Sequence, residues 1–214
     1  MKDFFMLRQS TQDAQAESIQ QQTNVFTIIK QRRSIDKMTL QMPTRQQIER
    51  LLEAGVYAPN HHNVQPWRFF VIAGQARHEL GQIMERSLAA RITETTSEQA
   101  QALFKKERSK PLRAPVIIAV VSQHSHNPKV LDIENIEATA AAVQNMLLIA
   151  EEMGLACIWR TKHPAYDPQV KRWLGIREED HIVALLDIGF PAVPRRERLP
   201  RPFADKTTWL GWNE

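Results

Sequence analysis

Between Ala58 and Phe70 the chain reads Ala-Pro-Asn-His-His-Asn-Val-Gln-Pro-Trp-Arg-Phe-Phe, with imidazoles and side-chain amides held between two prolines and a tryptophan attached. Asn63 and Gln65 each carry an amide that can meet both a carbonyl and an N–H on one edge of a flat polar ring. A second group, Arg32-Arg33-Ser34, sets two guanidiniums and a hydroxyl in consecutive positions. Those are the donors that a phosphate monoester or an electron-rich ring edge requires. They could equally complement a helix C-terminus. A third group, Ile158-Trp159-Arg160-Thr161, follows an apolar run. A strand end facing a crevice is where α/β proteins tend to bind ligands. The competing use is Trp159 as core and Arg160 as a surface charge. His61-His62 and His124-x-His126 lack the companions of a metal set, Asp132 being the only close acid, so no metal ligand is assigned.

The elements that must position these groups follow from periodicity. Val25 to Ile29 predicts a short helix that ends in the basic turn. Thr44 with Gln47 predicts a capping box opening a helix that stops before Pro59. Arg68 to Ala73 predicts a strand, Gln75 to Arg91 and Ser97 to Lys110 predict helices, and residues 92–96 a loop between them. The β-branched run from Pro115 to Val121 predicts a strand buried on both faces. Apolar residues from Ile133 to Ala150 recur at steps of three and four, which predicts a long helix closed by Gly154. Leu155 to Arg160 predicts a strand, Pro168 to Leu174 a helix, and Ile182 to Ile188 the last strand. Helices alternating with strands predict an α+β fold, a mixed α/β sandwich around one sheet.

Three segments are expected: a loose extension over 1–24, rich in glutamine and serine; a folded unit over 25–190; and an extended tail over 191–214, marked by Pro194, Pro200 and Pro202. The formal charge of +4 is spread over mixed signs, which argues against a nucleic-acid face or a membrane anchor. No run of about 18 apolar residues occurs. The single cysteine, Cys157, excludes an intrachain disulfide and reads as a buried small hydrophobe. A cytoplasmic location is expected. Neither a Gly-x-Gly-x-x-Gly fingerprint nor a Walker loop is present.

Taken together, the Arg-Arg-Ser turn, the Ala-Pro-x-x-x-x-x-Gln-Pro-Trp-x-Phe segment and the Gly-x-x-x-Ile-Trp-Arg-Thr strand resemble the FMN-dependent nitroreductases over Phe26 to Phe190. The resemblance implies a nitroreductase-like fold, with a mixed, mainly antiparallel central sheet flanked by helices. It also implies an interlocked homodimer with an FMN site at each of two places along the subunit interface. Arg32, Arg33 and Ser34 would hold the FMN phosphate and ribityl region. Trp159, Arg160 and Thr161 would complete the pocket, and Tyr57 and His61 would reach it from the partner. Tyr57 stands where the nearest relatives carry arginine. Asp36 and Met38 depart from a basic and an aromatic position of the pattern, and Arg195, Arg196 and Arg198 are candidates for a further phosphate contact.

The implied activity is electron transfer from NADH or NADPH through FMN to a nitroaromatic or quinone acceptor by ping-pong logic, with no side chain needed as a catalytic acid or nucleophile. Ene reduction, dehalogenation or flavin fragmentation on the same fold, and a flavin-binding sensor with little turnover, are the alternatives. The segment Glu85 to Lys110 would decide among the first three.

Overall fold

The computed structural model describes residues 24–212; the expected N-terminal extension lies almost wholly outside them. Helix α1 (Val25–Gln31) is followed by α2 (Arg45–Val56), a 3-10 turn (His61–Asn63) and strand β1 (Trp67–Ala73). Helices α3 (Gln75–Ala89) and α4 (Glu98–Ser109) lead through a second 3-10 turn (Lys110–Arg113) into β2 (Val116–Ser122). The long α5 (Asp132–Glu152) precedes β3 (Ala156–Arg160), the short helices α6 (Lys162–Tyr166) and α7 (Pro168–Leu174), and β4 (His181–Gly189).

Local chemistry sets the ends of these elements. Thr44 accepts from the N–H of Gln47, and the Gln47 side chain accepts from the N–H of Thr44, so both halves of the predicted capping box are present. Hydrogen bonds from the Ser97 and Thr96 side chains, joined by the N–H groups of the same two residues, pull the pKa of the Glu94 carboxyl down to about 2. Ser97 then caps α4. Gly154 stops α5 at φ +69°, a left-handed conformation open to glycine, and the Leu155 N–H returns to the carbonyl of Ala150 at 2.8 Å. Asp167 caps α7 with Pro168 in its first turn. Helix α6 carries no sequence signal beyond the end of β3 and was not expected.

The sheet runs β1-β2-β4-β3, and every neighbouring pair is antiparallel. Among the described residues, a parallel component enters only as an isolated bridge between Ser34 and Cys157 on the outer edge of β3. The two faces of the sheet carry different helices. Val116, Ile118, Val120, Leu186, Ile188 and Cys157 pack against Ile48 and Leu51 of α2 and Val143, Met146, Leu147 and Ala150 of α5. Ile72, Ile117, Ala119, Val121 and Leu185 pack against Leu80, Ile83 and Met84 of α3 and Val170 and Leu174 of α7. β2 is buried at every residue, as its β-branched run predicts. This α/β/α layering is the mixed sandwich expected from the sequence.

Candidate active site

β3 is an edge strand, and its C-terminal end carries the chemistry. Register pairs Ile158 with Asp187 and Arg160 with Leu185, so Arg160 and Asp187 share the face that looks toward α3. Arg160 Nε donates to Asp187 Oδ2 at 2.6 Å. The Asp187 side chain is 7% exposed and that of Arg160 33%. Burial raises the Asp187 carboxyl above its ordinary range, opposed by the hydrogen bond and charge of Arg160 and by the charge of Arg113. The net upward direction means that the pair only partly offsets the desolvation of the acid.

Around this pair lies an open recess of about 100 Å³. Its floor is apolar, from Leu80, Met84, Ile117 and Leu185. Its rim carries Lys110, Arg113, Arg160, Thr161 and Lys162. Lys110 is ion-paired with Glu107, whereas Arg113 and Lys162 have no ion-pair partner among the described residues. The backbone turns sharply here. Thr161 lies at φ −126°, ψ −98°, and Lys162 at φ +53° without being glycine. The left-handed conformation of Lys162 costs on the order of 1–3 kcal/mol, and such residues gather at binding sites. No side chain caps α6, so its first N–H groups keep their donor capacity at the recess end of β3.

The structure brings the Arg32-Arg33-Ser34 turn to the same strand. Ser34 bridges Cys157, and the Ile35 N–H donates to the Cys157 carbonyl at 3.2 Å. From Cys157 to Arg160 is three strand steps, about 10 Å. The Cys157 thiol is buried and its pKa pushed upward by burial, then by Asp187, with Arg32 opposing. It is an inert core residue. Trp159 points to the other face of β3 from Arg160; its Nε1 donates to the carbonyl of Val183 at 2.9 Å, where a register shift sets β4 against β2.

Tyr57 and His61 lie elsewhere in the chain. Tyr57 is the C-cap of α2, 78% exposed, on a groove with Val25, Ile28 and residues of α5. His61 is exposed beside Glu134, Glu137, Ala138 and Ala141 of α5. Both sit on the flank of α5, so a single chain does not join them to Arg160 and Thr161. Their loop is itself held in unusual conformations. His62, Asn63 and Gln65 have φ of 50°, 52° and 47°, and the Asn60 side chain accepts from the Gln65 N–H at 2.8 Å. Trp67 anchors it among Ala58, Ala138 and Ala142.

Sequence reasoning passed over Asp187, Lys110, Arg113 and Lys162. Asp187 carried a usable signal, because one acid inside an apolar strand must be paired when buried. The other three meet only through the fold.

The Nitroreductase family model matches residues 29–190. "Putative NAD(P)H nitroreductase YdjA" of Escherichia coli (strain K12) is 34% identical over 176 residues, covering 80% of this chain and 93% of that protein. A nitroreductase-like family protein from Bacillus cereus superposes with a TM-score of 0.76 at 27% identity, covering 89% of this chain and 97% of that one. A Desulfovibrio desulfuricans structure in complex with FMN superposes with a TM-score of 0.68 at 25% identity, covering 90% of this chain and 99% of that one. An α/β/α sandwich with a cationic strand-end recess thus places the protein among the nitroreductase-like folds. The chain belongs to the nitroreductase family.

Proposed function

We propose that the protein is an FMN-dependent oxidoreductase that passes electrons from NADH or NADPH to nitroaromatic or quinone acceptors. The observation that carries this reading is the distribution of donors along the edge of β3. Guanidinium and hydroxyl donors stand at Arg32-Arg33-Ser34, and an apolar-floored cationic recess stands about 10 Å along the same strand at Arg160 and Thr161. A phosphate monoester at one end and a flat polar ring at the other is the ligand that such a set fits.

Arg32 and Ser34 meet the phosphate and ribityl end with Arg33 beside them, and Arg160 and Thr161 the ring end, with Lys110 and Lys162 on the rim and Trp159 on the opposite face of β3. Bound FMN would supply hydride acceptance from the nicotinamide and onward electron transfer to the acceptor. The cations of the rim favour anionic charge on a bound ring, and Asp187 holds Arg160 in place. The apolar floor excludes water from one side of it.

Tyr57 and His61 serve the site of a second copy. Support for a homodimer comes from apolar side chains that one chain leaves uncovered near α1, α2 and α5: Phe26 is 61% exposed, Tyr57 78% and Ile133 56%. The tail adds Phe203, Trp209 and Leu210 at 75%, 63% and 89%, which suits an interlocking segment. In this reading residues 25–190 form the flavin-binding unit, 1–24 an appended extension and 191–214 the tail, and the reaction runs in the cytoplasm, where NAD(P)H is available.

Steady-state kinetics test the reaction. Varying NADH or NADPH at several fixed concentrations of a quinone is expected to give parallel double-reciprocal lines, the mark of a reductant that leaves before the acceptor enters. Converging lines would contradict the ping-pong order, and turnover no faster than free FMN would contradict the activity.

A further inference from the structure

α1 ends at Gln31, and its last carbonyls need donors. Arg33 supplies one: Nη1 donates to the carbonyl of Lys30 at 2.6 Å, and also to that of the C-cap residue Arg32 at 2.8 Å. The same guanidinium reaches the tail, with Nε donating to the carbonyl of Arg196 at 2.7 Å. Two of its three nitrogens are therefore engaged with backbone. The tail first runs against residues 37–39, through the Met38–Pro191 bridge and the Ala192 N–H to Lys37 carbonyl bond of 2.9 Å. It is then held at Arg195, whose Nη1 lies 2.6 Å from Oε1 of Glu151. Glu151 sits in the last turn of α5 with its side chain 4% exposed, where the helix dipole opposes a carboxylate and a cation is needed. Beyond Arg196, no hydrogen bond or ion pair among the described residues joins the tail to the body. Arg196 and Arg198 have no ion-pair partner among the described residues, and the Arg33–Arg196 bond sets the backbone of Arg196 next to the Arg32-Arg33-Ser34 turn.

We propose that Arg33 is a positioning residue: it fastens the tail, and it acts on the phosphate end of the flavin site through the tail arginines rather than by touching the phosphate. The second half rests on the flavin reading above; the first does not. A lysine could not replace the fork, because its ammonium cannot span a helix end and a tail carbonyl in one plane.

Two measurements on the full chain separate the parts. In flavin-free protein, Arg33→Met is expected to speed tryptic release of tail peptides about tenfold, the loss of roughly one charge-assisted hydrogen bond. Arg33→Lys should fall between, and Arg32→Met should match wild type. Unchanged release in Arg33→Met would overturn the fastening.

FMN and riboflavin affinities are then compared in Arg33→Met, in Arg196→Ala/Arg198→Ala, and in the triple variant. Arg33→Met is expected to weaken FMN about tenfold and leave riboflavin unchanged, and to add less than about twofold once the two tail arginines are gone. Multiplying losses would mean that Arg33 meets the phosphate itself, and a parallel loss of riboflavin would mean general collapse; either overturns action through the tail. If wild type binds no flavin, the flavin reading and with it the second half fall, and the tail-release rates still decide the first half.

Discussion

Replacing Arg160 by methionine is expected to destabilise the fold by about 2–3 kcal/mol and to abolish tight flavin binding. Breaking a buried ion pair from one side costs about 3–5 kcal/mol, and the one-third exposure of Arg160 reduces that figure. The cost comes from Asp187, left buried without its 2.6 Å partner on a strand packed on both faces. Adding Asp187→Asn in the same chain removes the stranded charge and is expected to recover most of the stability without the flavin. Chemical denaturation and FMN titration of the two variants measure both effects. Equal stability of the single and double variants would show that Asp187 is not the source of the loss.

Gly81→Ala is expected to lower stability by about 2 kcal/mol. A Cβ at this position would stand 2.2 Å from the carbonyl oxygen of Arg108, a backbone atom that cannot swing aside. A clash this close with backbone falls at the top of the overpacking range, about 3 kcal/mol. The better helix propensity of alanine offsets about 1 kcal/mol of it. Steric conflict wins because α3 and α4 must separate. For a chain of this size the melting temperature should fall roughly 4–8 °C. The effect reaches the site as well, since α4 runs through Arg108 directly into the turn carrying Lys110 and Arg113. A thermal melt at or above wild type would contradict the close approach of these helices.

Much of the scaffold was legible because its signals are local. Thr44 and Gln47 lie three residues apart, Gly154 closes the helix whose apolar stripe precedes it, and the β-branched run of β2 needs no partner to be recognised. The candidate site was legible in its parts and not in its assembly. Arg32, Ser34 and Arg160 stood out by type, but their common strand edge depends on a bridge between Ser34 and Cys157. The recess joins α3, the 3-10 turn before β2, β3 and β4, which no spacing links.

Backbone geometry was hidden for a different reason. Left-handed conformations fall on His62, Asn63, Gln65 and Lys162, where no glycine announces them. Arg33 reaches a carbonyl 163 residues away, so its tail contact had no sequence signature at all.

The edge of β3 is expected to hold FMN in a form that nicotinamide can reduce. Titrating FMN into the flavin-free full-length protein, then adding NADH or NADPH without oxygen, tests it in one cuvette. The expected result is saturable binding of one FMN per chain with micromolar or tighter affinity, followed by loss of the visible flavin absorbance. A protein that leaves the FMN spectrum unchanged, or binds FMN that neither nicotinamide bleaches, would contradict the account.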